Sequence, residues 1–275
     1  TDLITQGFQL TAGTFTAPSG TLNVGGPWGS SVTIFGHSGG TFNHNNGTVE
    51  FNPNLISCAN PTFTVDVLPA TLFYNFTVNG IAGCGINATV STASGDVIQG
   101  LNDFTHTDGI IAGSFAFQGN LIINSGADGG TGTITANGIG AQTYAQSAGS
   151  PRTCQIIVDK SAGALTPAGG TTDLITQGFQ LLAGAFTAPS GTLNVGGSWG
   201  TSVTIFGHSG GTFTHNNGTV EFNPNLISCA NPTFTVDVIP TTVFYNFTVN
   251  GIAGCGINAT VSTASGDVIQ GVNNF

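Results

Sequence analysis

Short runs in which apolar and polar residues alternate recur along the whole chain. Phe63, Val65 and Val67 alternate with Thr64 and Asp66, and Tyr74, Phe76 and Val78 with Asn75 and Thr77. Ile86, Ala88 and Val90 alternate with Asn87 and Thr89. Leu22 and Val24 flank Asn23, Val32 and Ile34 flank Thr33, Val49 and Phe51 flank Glu50, and Phe115 and Phe117 flank Ala116. Further on, Cys154, Ile156 and Val158 alternate with Gln155 and Ile157. A period of two marks a strand with one face turned inward. Each run holds two or three inward residues, and a turn signal of Gly, Asn, Ser or Pro follows soon after. No window offers a sustained helical period, and Gly, Thr and Val, all poor helix formers, are abundant throughout. The chain is predicted to be all-β.

The pattern repeats on a larger scale. Thr1–Phe104 recurs as Thr172–Phe275 with ten substitutions, so the layout is a first copy (1–104), a single-copy connecting segment (105–171) and a second copy (172–275). Within that period Asp2-Leu3-Ile4-Thr5-Gln6-Gly7 is echoed by Asp96-Val97-Ile98-Gln99-Gly100 and again by Asp173-Leu174-Ile175-Thr176-Gln177-Gly178. Two architectures accommodate short strands at this spacing. One is a β-solenoid whose strands stack into parallel sheets around a narrow core. The other is a row of tandem antiparallel β-sandwiches. The solenoid is favoured. The outward positions hold Asn, Thr and Ser, which can form hydrogen-bonded ladders between coils. The two internal steps also differ by about one coil, and a solenoid survives the loss of a coil. Some 20 residues per coil is the expectation.

Composition narrows the function. Charged residues are 5% of the 275, the net charge is −10, and Arg152 and Lys160 are the two cations. Two cations cannot neutralise a row of phosphates, so nucleic acid is excluded as a partner. Attraction to an anionic membrane surface fails for the same reason, and no apolar run is long enough for a spanning helix. With 20 Phe the chain is not disordered by charge. No leader segment is visible before Thr1, which suggests a processed product or a window of a longer polypeptide.

Three segments carry a resemblance. They are Gly13-Thr14-Phe15-Thr16-Ala17-Pro18-Ser19-Gly20-Thr21-Leu22-Asn23-Val24-Gly25-Gly26, Gly40-Thr41-Phe42-Asn43-His44-Asn45-Asn46-Gly47-Thr48-Val49-Glu50-Phe51-Asn52, and Phe73-Tyr74-Asn75-Phe76-Thr77-Val78-Asn79. In content and order they resemble segments of very large secreted prokaryotic surface proteins. The resemblance implies a right-handed parallel β-helix, the architecture also of filamentous-haemagglutinin-type adhesins. It covers much of each copy and little of the connecting segment, and it implies no particular activity.

Cysteines and sequons add a compartment. Cys58 and Cys84 recur as Cys229 and Cys255, each pair 26 apart and near one coil, within reach of a disulfide staple in an oxidising compartment. Buried thiols are the alternative. Cys154 is left over, as a core residue, a link to another chain or a partner of Cys84. Six Asn-x-Ser/Thr sequons occur at Asn46, Asn75, Asn87, Asn217, Asn246 and Asn258. The alternation turns Asn75 and Asn87 outward, and Asn46 sits in an Asn-Asn-Gly turn. N-linked glycan there would supply the solubility that charge does not.

Candidate chemistry is sparse. His37 and His44, repeated as His208 and His215, have no accompanying cluster of metal-binding residues and read as turn or ladder residues. Asp103, His106 and Asp108 are the residue types of a hydrolase or a cation site, but they are neighbours in sequence only, and Asp103 becomes Asn274 in the second copy. Asp128-Gly129-Gly130-Thr131-Gly132 lacks the second half of a Ca²⁺-binding nonapeptide. Trp28 and Trp199 suit a strand-end closing the core better than a sugar platform. No catalytic, metal or cofactor residue is therefore assigned. The expectation is a non-enzymatic structural subunit of an extracellular fibre, sheath or surface layer that associates end to end or laterally with copies of itself. The alternative is a cell-surface adhesin or stalk that binds carbohydrate.

Overall fold

The computed structural model describes residues 1–56, 60–81, 86–199, 201–226, 232–251 and 258–274. Every helical or extended element among them is a β-strand, and neighbouring strands pair in parallel. The fold is a parallel β-solenoid. Parallel ladders between strands a full coil apart in sequence rule out the antiparallel sandwich, whose strands pair across hairpins.

The chain forms two compact units: residues 1–135 with 147–154, and residues 136–146 with 155–275. The single-copy segment 105–171 contributes to both.

In the first unit the strands stack in three columns. Leu3–Thr5, Thr21–Trp28, Thr48–Leu55, Asn75–Asn79 and the start of Phe104–Ala112 form one, continued by Leu121–Ala136. Phe8–Leu10, Val32–His37, Thr62–Val67, Thr89–Thr92 and the end of Phe104–Ala112 form the second. The third contains the pair Thr14–Thr16 and Thr41–Asn43, and the run Leu72–Phe73, Val97–Gly100 and Ser114–Phe117. The second unit repeats the pattern. Leu174–Thr176, Thr192–Val195, Thr219–Phe222 and Asn246–Val249 stack in one column. Phe179–Thr187, Val203–His208, Thr233–Val238 and Thr260–Thr263 stack in another.

The dominant step is 27 residues, not 20: Thr21 pairs Thr48, which pairs Asn75, and Thr62 pairs Thr89. A 17-residue step appears where Phe104 pairs Leu121 and Val97 pairs Ser114. The longer coils carry an additional outer run. Gly25–Trp28 pairs with Asn52–Leu55, and Asn54 bridges Ile81. Alternation does not reveal the Gly25–Trp28 side of that run, whereas Asn52–Leu55 continues the alternation of Val49 and Phe51, with Pro53 and Leu55 buried.

Inward side chains fill the core. Leu22, Val24, Phe51, Phe63, Val65, Phe76, Val78 and Val90 are fully buried, as the alternation predicts. Aromatic rings stack from coil to coil, with Phe76 and Phe104 centroids 4.5 Å apart at 16°. Two local readings change. Tyr74 is not inward: the strand breaks there to turn a corner, so Phe73 is buried instead. A bulge between Thr33 and Phe35 buries both Ile34 and Phe35, which breaks the simple alternation of Val32 and Ile34.

Corners need glycine where coils pass closely. Gly40 has φ +86°, and a Cβ on it would lie 2.4 Å from Gly13 O. Gly211 repeats this with φ +85° and 2.3 Å to Gly184 O. Only a residue without a side chain satisfies both the left-handed backbone and the contact.

Candidate functional site

Outward polar residues are used mainly to tie one coil to the next. Asn23 Nδ2 donates to Glu50 Oε2 at 2.9 Å, and Asn79 Nδ2 donates to Glu50 Oε1 at 2.7 Å. Asn194 and Asn250 hold Glu221 in the same way, each at 2.9 Å. Aspartates cap backbone amides of the adjacent coil. Asp2 accepts from Thr21 N at 2.8 Å, Asp96 from Val67 N at 2.8 Å, and Asp103 from Asn120 N at 2.7 Å. Asp173 and Asp267 do the same for Thr192 and Val238. Carboxylates occupied in this way are structural, and Asp103 is among them.

One group differs. Asp108 and Asp128 are distant along the chain, but the short coil pairs Asp108 with Gly126 and draws Asp128 close by. Both carboxylates interact with the Gly109 backbone. Desolvation raises both pKa values above the ordinary Asp range, and for Asp128 the charge of Asp108 adds to the rise. On the inner side of the same strand His106 is fully buried. Its Nε2 lies 2.9 Å from Gly109 O and its Nδ1 lies 3.2 Å from Thr153 Oγ1. Burial lowers its pKa to about 4, against a partial rise from the Gly109 bond. The imidazole is therefore neutral near pH 7, with Nε2–H donating to Gly109 O and Nδ1 accepting from Thr153. Both ring nitrogens are engaged by these two partners, so His106 is not paired with Asp108. Among the described residues no group of three or more His, Cys, Asp or Glu is placed to hold a metal ion.

The remaining candidates are dispersed. His37 Nδ1 meets Thr71 Oγ1 at 2.7 Å in the core, and His208 meets Thr242 at 2.8 Å. Burial lowers the His208 pKa. His44 stacks on Tyr74, with centroids 5.7 Å apart, and His215 stacks on Tyr245 at 5.5 Å. The structure thus engages His37 and His44 separately. Trp28 Nε1 is buried without a hydrogen-bond partner. Lys160 is buried, its ammonium bonded to Gly138 O, Gly140 O and Gln142 Oε1, and burial lowers its pKa.

The sequons separate into two kinds. Asn46 and Asn217 are exposed on tight turns with φ 55° and 59°. Asn258 is exposed and Asn87 half-buried. Asn75 and Asn246 are half-buried in the ladder: Asn75 Oδ1 accepts from Asn102 Nδ2 at 2.8 Å and from Asp103 N at 3.2 Å, and Asn246 Oδ1 accepts likewise from Asn273 and Asn274. Cys58, Cys84, Cys229 and Cys255 lie outside the described residues. Cys154 is a fully buried thiol whose pKa is pushed up to about 12 by desolvation, so a link to another chain is not available to it in the folded protein.

Comparison with known proteins adds no relative: no protein-family model, no curated protein and no solved structure matches the chain. No helix among the described residues is long and apolar enough to cross a membrane.

Proposed function

We propose that the chain is a structural module of an extracellular fibre, sheath or surface layer, and that it associates with copies of itself end to end or laterally. The observation that carries this reading is the duplication of one surface. Each copy builds the same 27-residue coils with the same Asn–Glu–Asn ladder and the same glycine corner. Repeated, weakly charged faces suit lateral packing and multivalent display. The polar side chains mostly hold coils together, which favours a building role over a catalytic one. Disulfides Cys58–Cys84 and Cys229–Cys255, and glycans on the exposed sequons, belong to the same reading as staples and solubilising groups of an extracellular protein. Electron microscopy of the purified chain, with light scattering over a hundredfold concentration range, tests it. Filaments or sheets are expected. Single particles of constant mass across the range would refute self-association.

A further inference from the structure

His106 joins two parts of the first unit that are far apart in sequence. It lies on Phe104–Ala112, where Val78 and Ile123 of the adjacent coils flank it in register. Its Nδ1 partner, Thr153, is also fully buried and comes from the segment 147–154, which the chain returns to this unit after an excursion through 136–146. That segment is further tied by Ser147 N donating to Ile123 O at 2.9 Å. A buried imidazole in an apolar core has two states of very different cost. The neutral ring has both nitrogens satisfied. The imidazolium retains its charge in a place that water cannot reach, and the cheapest relief is to open the contact.

We propose that His106 is an acid-released latch: while neutral it holds the segment 147–154 against the strand Phe104–Ala112, and on taking up a proton it releases that segment to solvent. The titratable and charged groups around it are few. Asp108 is on its own strand and Asp128 on Leu121–Ala136, both on the outer face beyond Gly109. Arg152 and Cys154 flank Thr153. Asn75–Asn79 carries none. Neither aspartate touches the ring, so neither supplies a counter-ion that would keep the imidazolium in place.

Linkage sets the sign. The folded-state pKa of about 4 lies below the ordinary 6.5, so the closed contact is fully favoured above pH 6.5, weakens progressively as pH falls from 6.5, and has lost the whole contribution once pH has fallen through 4. The same interval bounds the gain in the opening constant at roughly 300-fold.

Hydrogen exchange of the full chain, read by mass spectrometry between pH 7 and pH 4 and corrected for the intrinsic rate, tests this. Wild-type amides of 147–154 are expected to lose protection by up to about tenfold per pH unit below pH 6.5, while Thr21–Trp28 keeps its protection. His106→Gln offers a carboxamide donor and acceptor without titrating and is expected to abolish the acid step. His106→Phe, which removes both bonds, is expected to leave the segment poorly protected at every pH. If His106→Gln fails to fold, the wild-type ring titration decides. A His106 resonance titrating near 6.5, an acid step that survives in His106→Gln, or no step in the wild type would each overturn the latch.

Discussion

Asn79 Nδ2 donates to Glu50 Oε1 at 2.7 Å from the next coil, and Asn250 makes the same bond to Glu221 at 2.9 Å in the second copy. Glu50 and Glu221 are the two glutamates of the chain. Each carboxylate is bracketed by amide donors from the coils on either side, so its charge is spread over several bonds that a neutral residue cannot match. Glu50→Ala is expected to destabilise the first unit by about 2–3 kcal/mol, because it leaves Asn23 and Asn79 without their shared acceptor. Urea unfolding of Glu50→Ala beside Thr33→Ala, an exposed residue outside the ladder, measures it. Equal small losses in both variants would show the ladder to be energetically idle.

Asp108 and Asp128 give a dependence on pH of definite sign. Their folded pKa values are raised by desolvation, so the folded state favours the protonated carboxyls. Stability from this pair is fully present below the ordinary Asp value of 3.8 and is lost as pH rises through the raised folded values. Asp108→Asn should therefore stabilise the protein at pH 7 and have little effect at pH 3. Unfolding midpoints at the two pH values report it, and a larger gain at pH 3 would contradict the assigned cause.

Corner glycines differ in what surrounds them. Gly40 has φ +86° with Gly13 O 2.4 Å from the site of a Cβ, whereas Gly95 has φ +90° and nothing within 4 Å. Gly95→Ala should cost about 1–2 kcal/mol, the price of a left-handed alanine alone. Gly40→Ala and Gly211→Ala should cost clearly more, since the coils must also separate. Thermal unfolding of the three variants ranks them, and an equal cost at Gly40 and Gly95 would show that the coils adjust freely.

Cys154 is fully buried with its thiol pKa pushed up to about 12. Under native conditions at pH 8 it should resist alkylation, and in denaturant it should react at the rate of an ordinary thiol. Tryptic mapping after maleimide treatment separates its peptide from those of the other cysteines. Rapid native labelling at Cys154 would mean that its strand opens readily.

The fold was legible because burial imposes a period of two. Phe63, Val65 and Val67 could face inward together only in an extended strand, and duplication of the whole pattern pointed to stacked coils. The coil length was harder to see. Gly25, Gly26 and Pro27 hide one side of a strand extension, whose partner Asn52–Leu55 does alternate but carries Pro53, a residue that ordinarily signals a turn. Tyr74 misled because an aromatic at the right spacing looks inward, while the corner beside Phe73 turns it out. The Asp108–Asp128 approach depends on a shortened coil between Phe104 and Leu121, a relation between distant positions that local pattern does not encode. His106 stood out in sequence only as a polar residue near two aspartates. Its burial follows from alternation with Phe104, and its bond to Thr153 does not follow from any local signal.

The parallel register makes the length of each unit discrete. Leu3 lies beside Leu22, and Leu22 beside Val49, in the same orientation. Excising residues 21–47 would bring Thr48 to the place of Thr21, leave every inward side chain inward, and subtract one coil. Excising one residue more would turn the following strand inside out. Such a chain can grow or shrink by whole turns, and its genetic history is expected to be counted in them.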